Sequence, residues 1–359
     1  MFLACIVALP AFAQDNAAAD WPLFRGNSAQ SGVAKCALPE TLAKLWSFKT
    51  EDGIQGSPVI MKDTIFVGAL DGNLYALDLA TGKKKWAYHG VAMKAAPAVR
   101  DGAVYIGDIE GNFHCVDAAS GKKRWTLATH GQIASPANFA GDKILFGSYD
   151  HHLYCVTTEG KIVWQFKTKE KIHGSPAIVD DHVLVGGCDQ SLHVIDLATG
   201  NKIATITLGS HCGASVAVRG QHAYIGNMDS KFLALDWKKG EMLWRFEGKR
   251  GGAFYSSAAV TDEFVVAGSQ DKHVRAWQRT TGKEVWAFAT RGRVDSSPVV
   301  VGQRVIVGSL DGNLYLLDLA GGGELARFAL GPIPGSPAVC SQGIAVATFG
   351  GEVHFLGKQ

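Results

Sequence analysis

The chain has 359 residues and a formal net charge of +2; 47% of residues are hydrophobic, 19% are charged and 43 are glycine. This balance suits a β-rich protein with many tight turns and excludes a disordered polar chain. No block of Lys and Arg interleaved with aromatics occurs, so charge-driven binding to nucleic acid is excluded as well.

Residues 1–20 read as a signal peptide and short linker. "MFLACIVALPAFAQ" is a short apolar run ending in a small-x-small site before Gln14, although no basic residues precede it. Cys5 lies too close to the start to be a convincing lipid-attachment cysteine, and no later stretch is long and apolar enough to span a bilayer. Residues 21–44, beginning "WPLFRGNSAQSG", form a lead-in segment. Cys36, Cys115, Cys155, Cys188, Cys212 and Cys340 remain after the leader, without the dense spacing of a disulfide framework. Stability is therefore expected from packing.

From residue 45 to 359 the chain repeats itself. "LWSFKT" (Leu45 to Thr50) is a lone strand that matches "VWQFKT" (Val163 to Thr168). The first complete unit follows: "SPVIM", "TIFVG", "NLYALD" and "KKWAYH" alternate as strands, joined by turns at Asp71-Gly72 and Thr81-Gly82. Nearly the same "LDGNLYALDLATG" at Leu70 returns as "LDGNLYLLDLAGG" at Leu310. Between them one column reads Trp46, Trp86, Trp125, Trp164, Ala204, Trp244, Trp286 and Ala326, and a second reads Pro58, Pro97, Pro136, Pro176, Val216, Ala258, Pro298 and Pro337. Self-similarity at this period with four strands per unit predicts a propeller. After Pro337 only three strands remain, so the lone N-terminal strand is expected to complete the last blade and remove both open edges. The predicted fold is an all-β, eight-bladed β-propeller of four-stranded antiparallel blades. The tryptophans Trp46, Trp86, Trp125, Trp164, Trp244 and Trp286 are its structural docking residues, with Ile206 and Phe328 filling part of the gap where Ala204 and Ala326 stand.

"ALDLATGKKKW" (Ala76 to Trp86) resembles the tryptophan-docking repeat of pyrroloquinoline-quinone-like propellers, with weaker copies ending at Trp125, Trp244 and Trp286. The resemblance implies that the lead-in at Trp21 to Gly32 lies across the blades. Quinoprotein dehydrogenases in that superfamily hold the quinone and Ca²⁺ in the central funnel beside adjacent cysteines, and this chain has no adjacent cysteines. In length and blade number the chain is similar instead to the BamB outer-membrane assembly factor family, non-catalytic scaffolds.

The acidic column Asp71, Glu110, Asp150, Asp189, Asp229, Asp271 and Asp311 reads as a turn requirement rather than a Ca²⁺ ring. Three residues before the Pro column the repeat stops repeating: Gln55, Lys94, Ile133, His173, Gly213, Tyr255, Asp295 and Pro334. These positions belong to connections that emerge beside the channel, so Gln55, Lys94, His173, Tyr255, Arg293 and Asp295 are the candidate ligand or partner face. The competing reading is an ordinary solvated loop. Arg250 and Arg291 join Arg293 on a basic rim. His130, His151, His152, His173, Cys188, His211 and Cys212 gather on one arc of this face, where a metal at His130, His173, His211 and Cys212, or a Cys188–Cys212 disulfide, is a lesser expectation because no paired short spacing occurs. No catalytic motif is present. The expectation is an exported, monomeric scaffold that is periplasmic, bound to the cell envelope or secreted. It would bind an envelope or secreted protein through its loop face, without cofactor. The alternative is a small-ligand propeller, with oxidoreductase activity if it holds pyrroloquinoline quinone and Ca²⁺.

Overall fold

A computed structural model describes residues 20–359; the expected signal peptide and Cys5 lie outside the described residues. Every regular element among those described is a β-strand, and the strands form eight sheets. The first full blade shows why. β3 (Val59–Met61) and β4 (Thr64–Gly68) are apolar and almost wholly buried, β5 (Asn73–Asp78) is buried except at its ends, and β6 (Lys84–His89) alternates with Trp86 and Tyr88 turned inward. Strands sandwiched between neighbouring blades read as continuous apolar runs, whereas the outermost strand keeps the period-two pattern of a half-exposed sheet. Gly72 closes the β4–β5 hairpin at a φ of 85°, a conformation that side chains bearing a Cβ rarely adopt.

The ring closes as the leftover strand requires. β2 (Ala43–Lys49) pairs antiparallel with Glu352–Gly357, setting Trp46 opposite Phe355, and so supplies the outer strand of the eighth blade. Just before it, β1 (Val33–Ala34) runs parallel to Val299–Val301 on the inner edge of the seventh blade.

The lead-in passes from blade to blade around the inner strands of the ring on its way to β1. Its backbone bonds to one inner strand after another: Trp21 with Ile60, Pro22 O with Val99, Ser28 O with Ile178, Ala29 O with Val218, Ser31 O with Val260 and Gly32 O with Val300, all at 2.7–2.9 Å. Asn138 Nδ2 adds the third blade by donating to Ser28 O at 2.8 Å. Seven blades thus grip one strap, which stops one end of the central channel.

Each docking tryptophan reaches the next blade around the ring. The Nε1 atoms of Trp46, Trp86, Trp125, Trp164, Trp244 and Trp286 donate to the carbonyls of Leu79, Ala118, Thr158, Leu197, Arg279 and Leu319 at 2.8–3.1 Å. The indole lies on the turn glycine of that blade; a Cβ on Gly82 would come within 2.5 Å of Trp46. The two alanines have separate explanations. Opposite Ala204 the fifth blade carries its own buried indole, Trp237, in one apolar cluster with Ile206 and Ala204, so the aromatic crosses the interface from the other side. Ile206 therefore fills only part of the gap. Ala326 would face a turn that the eighth blade lacks, because that blade's outer strand comes from the N-terminal part of the chain. Phe328 there shares its cluster with Leu38 and Leu42 of the segment leading into β2.

Candidate functional site

The variable connections meet around the open end of the channel. The inner chamber, about 140 Å³, is floored by Phe24 of the strap and walled by the serines of the repeated GSP segments. It widens into a vestibule of about 460 Å³ whose lining includes Gln55, Lys94, Gln132, Tyr149, His173 and Phe349. Of the six residues singled out from the sequence, Gln55, Lys94, His173, Tyr255 and Asp295 line this funnel. Arg293 does not; it is exposed on the adjoining loop, where its carbonyl accepts from Leu310 N. Arg250 and Arg291 are likewise exposed and outside the lining.

Ile133 departs from the column in which it was counted. It is fully buried, and a Cβ on Gly107 would lie 2.1 Å from its Cγ2, just as Ile172 fills the space over Gly147. The connection into the third blade is one residue shorter, so its apolar anchor keeps its seat over the strand glycine and Ala134 becomes the lining residue. Tyr149, Gln132 and Phe349 escaped the column count because they come from the facing hairpins and a neighbouring position.

At the mouth, Tyr149 Oη lies 2.6 Å from His173 Nδ1. Burial, then the charges of Lys171 and Lys94, holds the His173 imidazole below its ordinary pKa. Burial also pushes the Tyr149 phenol up to about 12, so the pair is neutral at pH 7. Asp295 accepts from Gln270 Nε2 at 3.0 Å.

The acidic column is a set of turn anchors. Asp71, Asp150 and Asp311 each accept from the backbone N–H two residues on, from a tyrosine hydroxyl four residues on, and from a backbone N–H of the preceding connection. Where the partner four residues on is His193 or Arg275, it bonds Asp189 or Asp271 instead. In the second blade the anchoring carboxylate is Asp108 rather than Glu110: it binds His114 and accepts from the backbone N–H groups of Glu110 and Asn112. In the fifth, Asn227 accepts the backbone bonds and Asp229 pairs with Lys231 at the surface.

Burial alone would raise the pKa of Asp108, Asp150, Asp271 and Asp311, but these hydrogen bonds outweigh it and hold all four below the ordinary carboxylate range. A carboxyl with a depressed folded pKa stabilises the fold above its unfolded value and loses that contribution as pH falls through the folded one. The melting temperature is therefore expected to hold down to about pH 5 and drop steeply below about pH 4. Asp150→Asn should make the drop shallower; thermal melts in a pH series check this, and a flat acid limb overturns it.

The histidine and cysteine arc does not converge. Among the described residues no three His, Cys, Asp or Glu side chains are placed to hold a metal ion. His130 and His211 are exposed on separate loops, His173 faces the funnel, and Cys212 is buried with its thiol pushed up to about 12 by desolvation. Cys188 and Cys212 adjoin, with Cys188 Sγ 3.8 Å from Cys212 O, and both are free thiols. Asp295 is the one carboxylate among the funnel-lining residues. Ca²⁺ takes about six to eight oxygen ligands, mostly from carboxylates and carbonyls, so this lining is a poor fit for a quinone–Ca²⁺ pair.

The family described as outer membrane protein assembly factor BamB matches at residues 29–127, 89–211 and 188–336. BamB of Bordetella pertussis is 32% identical over 101 residues, 27% of this chain and 26% of that protein, so the aligned part spans about a quarter of that relative's length. The crystal structure of BamB from Moraxella catarrhalis superposes with a TM-score of 0.77 at 19% identity, covering 89% of this chain and all of that one. Quinohemoprotein alcohol dehydrogenase from Comamonas testosteroni superposes with a TM-score of 0.79 at 15% identity, over 96% of this chain and 82% of that one. At such identities the two structures show a shared fold and nothing finer.

Proposed function

Because the chain belongs to the family of the outer membrane protein assembly factor BamB, we propose that it is an exported, non-catalytic scaffold of the cell envelope that holds a protein partner in outer-membrane protein assembly. The observation that carries this reading is the rim of the funnel. Tyr255 and Phe349 stand 39% and 41% exposed there, on connections fixed by buried neighbours such as Phe254 and by the turn anchors. Exposed aromatics on a rigid frame, ringed by polar side chains such as Gln55 and Lys94, have the make-up of an interaction hot spot. The neutral Tyr149–His173 pair favours binding over proton transfer, since neither group changes charge near pH 7. No helix among the described residues is long and apolar enough to cross a membrane.

A photo-crosslinking residue placed at Tyr255 or Phe349 in cells is expected to trap a component of outer-membrane protein assembly, identified by mass spectrometry. The same residue at Lys123 on an outer strand should not. Equal adducts at all three positions, or none, would overturn the reading. The alternative, a small-ligand propeller, has its support in the fold shared with the alcohol dehydrogenase. Calorimetry with pyrroloquinoline quinone and Ca²⁺ separates the two: the scaffold reading expects no saturable heat.

A further inference from the structure

The hub of the ring carries a run of serine hydroxyls. Around the inner chamber, backbone N–H groups donate to serine hydroxyls of the next blade in an unbroken run: Ser175 N to Ser215 Oγ, Ser215 N to Ser257 Oγ, Ser257 N to Ser297 Oγ, Ser297 N to Ser336 Oγ and Ser336 N to Ser57 Oγ, at 2.7–3.1 Å. The run crosses the closure of the ring and ends where the second blade has Ala96 in the serine position. A hydroxyl has one proton to give. In all five acceptor serines that proton has no acceptor among the described residues, and all five residues line the chamber.

A buried charge lies in the strap nearby, tied to the backbone of two of these serine segments. Arg25, in the strap next to the floor residue Phe24, is 1% exposed. Its Nη2 donates to the carbonyls of Ala258 and Pro298, the residues that follow Ser257 and Ser297, at 2.9 and 2.5 Å. Its Nε and Nη1 have no partner among the described residues. Among the described residues no carboxylate neutralises it, and the only acid in the chamber lining, Asp295, is engaged by Gln270. A buried guanidinium with unpartnered N–H groups is costly unless something answers it, and five hydroxyl protons that face the chamber can serve the same kind of partner.

We propose that the hub is an anion site, in which a small monovalent anion of halide or carboxylate type is held by the hydroxyl protons of Ser57, Ser215, Ser257, Ser297 and Ser336, with Arg25 as the counter-charge. The chamber is large enough for a carboxylate group with accompanying water. The site rests on the hub alone, and its failure would leave the partner reading where it stands.

Crystals soaked in bromide test it directly. An anomalous peak is expected in the chamber within hydrogen-bond reach of at least two of the five hydroxyls; no peak there, or density that refines as ordered water only, would overturn the proposal. In solution, bromide should show a protein-dependent broadening of its NMR line, and competition by formate distinguishes a site that also takes carboxylates from one restricted to halides. The double variant Ser257→Ala, Ser297→Ala loses two charge-assisted hydrogen bonds and should bind bromide about tenfold more weakly. Unchanged broadening in that variant overturns the proposal. If the variant does not fold, the soaked crystal decides alone.

Discussion

A chain shortened to begin at Glu51 is expected to lose its cooperative monomeric fold. The cut removes the strap, and with it backbone bonds to the inner strands of most of the ring, and it removes β2, the outer strand of the eighth blade. The strand Glu352–Gly357 then becomes a free edge with apolar neighbours, a template for pairing with another copy. Trp46 is lost from the contact that ties the eighth blade to the turn of the first. Size-exclusion chromatography should show dimers or larger aggregates, and limited proteolysis should cut the truncated chain rapidly. A peptide covering residues 20–50, added in trans, should restore part of the monomer. A truncated protein that stays monomeric and melts within a few degrees of the full chain would overturn the closure argument.

Trp244→Ala is expected to cost about 3–5 kcal/mol, near the upper end for a single core substitution. The indole is 8% exposed and donates to Arg279 O at 2.9 Å across the interface between the fifth and sixth blades. It lies among Tyr224, Phe232 and Trp277, with centroids 6.1–6.3 Å away. Removing it leaves a cavity that the rigid turn at Gly282 cannot close, since the indole face rests where a Cβ of that residue would stand. Trp244→Phe keeps most of the apolar area and loses the N–H bond, so about 1–2 kcal/mol is expected. Denaturant unfolding, read at constant m-value, gives both differences. A loss under about 1 kcal/mol for the alanine variant would mean that the docking tryptophans are not what couples adjacent blades.

The blade count, the borrowed strand and the docking tryptophans were legible because they recur: eight near-copies let each position vote on its own role. What recurrence could not reveal was compensation within a single unit. Trp237 stands in a column held elsewhere by Leu79, Ala118 and Leu319, and its purpose emerges only against the missing tryptophan at Ala204. Ile133 misled by one place because a count from Pro136 cannot show on which side of the anchor a residue was lost; packing against Gly107 settles it. Glu110 gave way to Asp108 because the shorter side chain, two residues earlier, reaches the same amide. Of the candidate face, the funnel members were readable from the connections. Tyr149 and Phe349 were not, since they approach from hairpins whose sequence resembles every other hairpin. Arg25 carried no sequence signal at all, being one arginine in a lead-in without repeats.

The borrowed strand also orders events in time. Ala43–Lys49 can find its place only after Glu352–Gly357 exists, so one of the first strands to be synthesised waits for nearly the last residues. Pairings so distant along the chain make for slow assembly. Until the final strand arrives, the growing chain keeps a ring with a gap, its last blade present only in part and β2 without a seat.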